Sequence, residues 1–238
     1  MSDIIKAIKV EKNYLKLIDK GKVKDKFNFK ERLELCGYTN LNKFRNDKLD
    51  YLFKNAKFNI DITSPKSVIN DIQKAIQTNK NVWYNYYNDQ KLVYVGKDKT
   101  YNKQYCIDNN IVVIPFLYSG GMIVTTKFDY GLVIVSNIKG LMPRLQKYLQ
   151  LSLRNLGIET TLNGNDLLLN NYKIIGGARK DLTKIYTGYY FQISFQVNKV
   201  DIDNICNKKI IKIPKGINYF YPNITREMLW KELKKWLQ

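Results

Sequence analysis

Along the first third of the chain, apolar residues return every three or four positions. In residues 4–19 they fall at Ile4, Ile5, Ile8, Leu15 and Ile18, and Lys20-Gly21 follows as a stop, so the spacing predicts a helix. Asn28 with Glu31 has the form of a capping box before a short helix that Gly37 would end. Asn40 then caps a predicted helix to about residue 55, with Leu41, Phe44, Leu49, Leu52, Phe53 and Ala56 on one face. Ser64-Pro65, an N-cap followed by proline at the first helical position, predicts another helix over 65–77, with Val68, Ile69, Ile72, Ala75 and Ile76 at helical spacing.

Beyond that helix the period shortens to two. Residues 81–87 and 91–95 read as aromatic and β-branched strands, joined as a hairpin through Asn88-Asp89. Residues 101–108 read as a short helix and 111–114 as a buried strand. Tyr118-Ser119-Gly120-Gly121 reads as a turn before strands at 122–125 and 131–136. Residues 141–156 form an amphipathic helix ended by Gly157. A strand is predicted at 186–197, a short helix at 201–206 and an extended piece at 208–213. Thr225 caps a last helix, with Met228, Leu229, Leu233, Trp236 and Leu237 turned inward. The pattern as a whole predicts an α+β protein in two parts: a basic helical extension over 1–63 and a main domain over 64–238, with a mixed sheet and packed helices.

The chemistry gathers in residues 165–179. Residues 167–169 are a short apolar run, Asn170-Asn171 has hairpin-turn chemistry, and 172–175 is a second β-prone run. Asn165-Asp166 places an amide and a carboxylate where the first strand begins. Lys173 sits within the second strand and is followed by Gly176-Gly177-Ala178, which carry almost no side chain. A lysine beside bare backbone can hold an anionic group close to the main chain. An exposed lysine on an edge strand, followed by a glycine bulge, is the competing reading.

Composition narrows the options. In 238 residues, 40 Lys and Arg stand against 21 Asp and Glu, a net charge of +19 that favours an acidic partner: nucleic acid, an acidic protein or an anionic membrane surface. Two segments could serve nucleic acid. One is the short helix, glycine turn and second basic helix (Lys43, Arg45, Lys48, Lys54), which describes a helix-turn-helix as well as a plain helical hairpin. The other is the run Trp83, Tyr84, Tyr86 and Tyr87 between Lys80 and Lys91, either a stacking platform for single strands or ordinary core. Cys36, Cys106 and Cys206 are widely separated and form no CxxC, which argues for a reducing, cytoplasmic setting and against a disulfide framework or zinc site. Histidine is absent, which removes Ser-His and Cys-His catalysis. The longest apolar run, 111–117, contains Pro115 and is too short to span a bilayer.

From Val82 onward the order of elements and several local strings resemble the lipoate-protein ligase branch of the biotin/lipoate ligase superfamily. Leu92-Val-Tyr-Val-Gly96 is similar to the family's strand ending in Ile-Gly. The strand at 111–114 leading into Tyr118-Ser-Gly-Gly121 is similar to its Arg-Arg-x-Ser-Gly-Gly-Gly loop. Leu153-Arg-Asn-Leu-Gly-Ile158 looks like its helix ending in Leu-Gly. Asn165-Asp166 followed by Lys173-Ile-Ile-Gly-Gly-Ala178 resembles its Asn-Asp and Lys-Ile-Ser-Gly-Ser-Ala, and Lys215-Gly216-Ile217 echoes a further segment. The biotin-ligase Gly-Arg-Gly-Arg-Arg-Gly loop is missing.

The resemblance implies an enzyme that activates a lipoate- or octanoate-like acid with ATP to an acyl adenylate and passes the acyl group to a lysine of an acidic acceptor domain. It implies Lys173 as the catalytic cation. The backbone of Ser119, Gly120, Gly121, Gly176, Gly177 and Ala178 would cradle the adenylate, Asn165 and Asp166 would hold the nucleotide, and Asp166 would meet Mg²⁺. The acyl chain would lie over the aromatic and aliphatic strands. Departures from the family pattern fall at Pro115, Phe116 and Leu117, where it has arginines, at Met122 in place of a third glycine, at Thr126 in place of a histidine, and across 181–190. The alternative is a catalytically inactive ligase-fold protein that binds nucleic acid or an acidic protein through its basic surface.

Overall fold

A computed structural model describes residues 3–19, 27–96, 99–116, 122–197, 199–206 and 215–236. The chain divides into two compact units, residues 1–56 and 57–238. The first holds α1 (Asp3–Asp19), α2 (Phe27–Glu34) and α3 (Leu41–Asn55). Its core is Ala7, Ile8, Leu33, Tyr38 and Phe44, which come from all three helices and the turn between the last two. The side chain of Asn40 accepts from the backbone N–H groups of Asn42 and Lys43, so α3 starts where its cap predicts.

The second unit runs β1 (Phe58–Thr63), α4 (Val68–Gln77), β2 (Asn81–Tyr87), β3 (Leu92–Gly96), α5 (Lys103–Asp108), β4 (Val112–Phe116), β5 (Met122–Thr125), β6 (Tyr130–Ser136) and α6 (Met142–Asn155). It continues through β7 (Thr161–Asn163), β8 (Asp166–Leu169), β9 (Tyr172–Asp181), β10 (Thr187–Ile193), α7 (Lys199–Ile205), α8 (Ile217–Phe220) and α9 (Arg226–Lys234). The larger sheet has the order β1-β2-β6-β10-β9-β8-β7, and a smaller one the order β4-β3-β5. β1 runs parallel to β2 and β4 parallel to β3; the other pairs are antiparallel. The fold class is α+β, as the pattern predicts.

The large sheet buries both faces. On one, Val82, Tyr84, Tyr86, Val133, Val135 and Tyr190 pack with Val68, Ile72 and Ala75 of α4 and with Leu92, Tyr94, Ile114 and Phe116 of the small sheet. The opposite side chains of β2, β6 and β10 include Trp83, Ile134, Tyr189 and Phe191, all buried. The apolar stripe of α6, Met142, Leu145, Leu149 and Leu153, is buried as well.

Several expectations change. The unit boundary falls at 56/57 rather than 63/64, because residues 58–63 form the edge strand of the large sheet. β2 and β3 are not a hairpin: β1 and β6 occupy both edges of β2, and β4 and β5 occupy both edges of β3. Asn88 is a buried corner between two sheets, its N–H donating to the Asp129 carbonyl at 3.3 Å. α4 begins at Val68, since Ser64 spends its hydroxyl on the Ser67 N–H (3.2 Å) and residues 65–67 form a turn. β9 runs on through Gly176-Gly177, paired with Gln192 and Phe191, so this diglycine is strand and not the glycine bulge of the competing reading. Met228 is 40 % exposed, and Trp230 takes the inward place beside Leu229 and Leu233. The extended piece at 208–213 and Leu237 lie outside the described residues.

Candidate functional site

Asn170 and Asn171 both have positive φ, +49° and +65°, the conformation that lets a two-residue turn match the twist of β8 and β9. Pairing below that turn is irregular. Leu168 faces Lys173 but Leu167 faces Ile175, so Ile174 is an extra residue, a β-bulge. Its effect is one of parity. In a regular strand Lys173 and Gly176 would point to opposite faces; the extra residue puts them on the same one.

That placement assembles the site. A Cβ built on Gly176 would stand 2.9 Å from Lys173 Cε and 3.0 Å from Nζ, so the lysine arm lies over the glycine where no side chain displaces it. The ammonium meets Asp166 Oδ1 at 3.1 Å, the carboxylate mostly shielded and the lysine about a third exposed. Three of the residues singled out in the sequence, Asp166, Lys173 and Gly176, therefore converge on one face. Gly177 serves the other face: a Cβ there would overlap the Asn165 carbonyl oxygen and stand 2.7 Å from Met142 Cε. Asn165 is exposed and brings its carbonyl to that opposite face. Ala178 packs on the core beside Tyr190. Ser119, Gly120 and Gly121 lie outside the described residues.

Two features near Lys173 were not singled out as site residues. The Lys215 N–H donates to the Lys173 carbonyl at 3.2 Å. Its ammonium rests 4.0 Å from the Tyr172 ring centre and 3.6 Å from that of Tyr219. A hydrogen bond with Tyr219 holds its pKa above the ordinary lysine value. The Lys-Gly-Ile string was the available signal, since Gly216 sits where any Cβ would overlap the Phe195 backbone. The other is Gln192, buried in β10 directly between Gly131 and Gly176. A lone glutamine in an apolar strand carries no motif.

Two of the places where the sequence departs from the ligase pattern, Phe116 and Thr126, hold packed or structural residues, while Pro115 is exposed and Leu117 lies outside the described residues. Phe116 is buried edge-on against Tyr94 and Tyr190, at 5.7 and 5.3 Å between ring centres. Thr126 donates its N–H to Asp129 Oδ2 at 3.0 Å. Asp129 is 1 % exposed, and Oδ1 also accepts from the Phe195 and Gln196 N–H groups; burial pushes its carboxyl up to about 7 against those three bonds. It fastens the end of β10 to the start of β6. Trp83, Tyr84 and Tyr86 are core side chains, 2–6 % exposed, as the plainer of their two readings had it. Among the described residues no cluster of three His, Cys, Asp or Glu suits a metal, and no helix is long and apolar enough to cross a membrane.

No protein-family model matches the chain, and no curated protein matches it. Solved structures do. P. falciparum LipL1, in complex with lipoate, is similar over 75 % of this chain at 16 % identity and a TM-score of 0.66; the match spans 61 % of that protein's length. A bi-partite lipoate protein ligase of Thermoplasma acidophilum, described with its E2 lipoyl domain, is similar over 76 % of this chain and 81 % of its own at 14 % identity and a TM-score of 0.62. Lipoate-protein ligase A bound with ATP is similar over 76 % and 83 % at 14 % identity and a TM-score of 0.60.

Proposed function

We propose that this chain, which has the fold of the lipoate-protein ligases, uses residues 57–238 to activate a carboxylic acid with ATP and transfer the acyl group to a lysine of an acidic acceptor domain, residues 1–56 being a basic helical extension. The carrying observation is the ammonium of Lys173 laid over Gly176 and steadied by Asp166.

In the first step a carboxylate oxygen attacks the α-phosphorus, the bond to the β-phosphate oxygen breaks, and pyrophosphate leaves. Two anions must be brought together for this. Lys173 offers a cation whose position is set before either arrives, and preorganised charge of this kind stabilises developing negative charge without reorganisation at the moment of reaction. The missing side chain at Gly176 lets an anhydride oxygen approach the ammonium and the strand backbone together. In the second step the acceptor amine attacks the acyl carbonyl and AMP leaves, and the same ammonium polarises that carbonyl. Asp166 holds the Lys173 ammonium in place. A Mg²⁺ ion would find one carboxylate here and take its other ligands from phosphate oxygens and water, which suits that ion's habit. Asn165 and Gly177 would back this strand from the opposite face, and Ala178 from the core. The Lys215 N–H secures the Lys173 backbone, and the net charge of +19 suits an acidic acceptor.

The test is ATP-dependent pyrophosphate release with lipoate, octanoate and biotin, together with mass spectrometry of the purified protein for a retained acyl or nucleotide group. Lys173→Ala should lower turnover by about 10²–10³, the cost of removing one preorganised donor, with the fold unchanged. Turnover equal to wild type in that variant, or none with any acid, overturns the reading.

A further inference from the structure

Gln192 is 6 % exposed, and neither its Oε1 nor its Nε2 has a hydrogen-bond partner among the described residues. Buried amides are almost always paired, because a bare buried donor or acceptor costs about 1–3 kcal/mol. The position of this one gives the reason. Its cross-strand neighbours are both glycines, Gly131 on β6 and Gly176 on β9. The Tyr86 ring lies over Gly131 and the Lys173 arm lies over Gly176, so the amide stands between a phenol ring and the ammonium on the face that carries Lys173.

The same line continues away from Lys173. The rings of Tyr86 and Tyr94 meet edge to face at 6.0 Å, and the Tyr94 hydroxyl reaches Asn88 Oδ1 at 3.5 Å. Asn88 is wholly buried, and its Nδ2 also lacks a partner. Two buried amides with bare atoms thus lie beside the sheet face that carries Lys173. A plain hydrocarbon chain bound at Lys173 would leave the Gln192 atoms unpaired, and an anion alone could satisfy Nε2 but not Oε1.

We infer that the acid bound at Lys173 carries, along its chain, a group that both donates and accepts hydrogen bonds, such as an amide, a cyclic urea or a hydroxyl, and that Gln192 selects for it. This rests on the ligase reading and deepens it by naming the substrate class. Sites that hydrogen-bond a substrate group discriminate strongly against analogues lacking it, since the site's own polar atoms are then stranded.

The experiment measures pyrophosphate release by the full chain with ATP and a matched set of acids: octanoate, lipoate, biotin, and octanoate analogues in which an amide replaces two adjacent methylenes at successive positions. At least one hydrogen-bonding acid should exceed octanoate and lipoate at least 10-fold in kcat/KM. Gln192→Leu should shrink that ratio 10- to 100-fold while octanoate holds or gains. Octanoate or lipoate matching every polar acid in the wild type overturns the inference and leaves the ligase reading standing, as does an unchanged ratio in the variant. If Gln192→Leu fails to fold, Gln192→Met replaces it, and the wild-type ratio decides alone. Absence of release with every acid removes the ligase reading and this inference with it.

Discussion

Gly176 and Gly177 are chain neighbours with unrelated reasons for lacking a side chain, and substitution separates them. Alanine at 176 meets only the far end of a flexible lysine, so Gly176→Ala should cost less than about 1 kcal/mol of stability while turnover falls with displacement of the ammonium. Alanine at 177 meets a backbone oxygen, which cannot swing aside, so Gly177→Ala should destabilise by about 1–3 kcal/mol. Denaturant midpoints and pyrophosphate release on the two variants check this; equal midpoints would break the distinction. Asp129 gives a residue-scale pH dependence. Burial lifts its folded-state pKa to about 7, above the unfolded value near 4, so the folded chain holds a proton that the unfolded chain releases. Stability is therefore full below about pH 4 and declines as pH rises through about 7. Asp129→Asn, which cannot titrate, should flatten that part of a urea-midpoint profile, and a wild-type slope surviving in the variant would exclude Asp129 as its source. At this scale the readable residues were those with local chemistry: a lysine before bare backbone, a carboxylate at a strand start. Gln192 was not readable, because what sets it apart is the pair of glycines on neighbouring strands, 61 and 16 residues away in the chain.

Four helices end in the same way. After α2, α4, α5 and α6 the residue past the cap has positive φ, its N–H reaches back three residues and the next N–H five. Glycine fills this place at Gly37 and Gly157, asparagine at Asn79 and Asn110. Asparagine tolerates the left-handed region less well than glycine, so Asn79→Gly and Asn110→Gly should each stabilise by about 0.5–1 kcal/mol, read as a rise in thermal midpoint. Loss of stability in both would mean their side chains hold something else. At α6 the ending is legible in the sequence, because periodicity locates the apolar stripe and Gly157 marks where it stops; Asn79 and Asn110 give no such mark. Strand pairing was harder. The Asn88-Asp89 signal is genuine turn chemistry, yet both flanking strands find better partners far along the chain, β6 for one and β5 for the other. Local sequence reports that the backbone turns and not which edges it then pairs with. The bulge at Ile174 was equally hidden, since Lys-Ile-Ile-Gly reads as an ordinary strand until the register with β8 is known.

At the scale of the whole molecule, the boundary between the units turns on residues 58–63. The sequence Phe-Asn-Ile-Asp-Ile-Thr alternates with period two, a strand pattern set between two helices. As β1 it pairs in parallel along the length of β2, from Phe58 opposite Asn81 to Thr63 opposite Tyr86. The exposed Ile60 and Ile62 keep it from looking like core. A chain cut to 57–238 retains this strand and every residue of the candidate site, while the three helices removed carry a core of their own. It should remain monodisperse and keep pyrophosphate release within about threefold of the full chain, a change under about 1 kcal/mol in barrier. A chain cut to 64–238, seven residues shorter, strips the ladder from β2, whose middle residues are buried. The bare edge then offers unpaired N–H and C=O groups beside Val82, Trp83 and Tyr84, the form of edge that pairs with another chain. That fragment should aggregate on size-exclusion chromatography even though no proposed catalytic residue is missing. Equal behaviour of the two fragments would show that β1 is dispensable; aggregation of both would show that residues 1–56 are needed to keep the ligase-fold unit soluble.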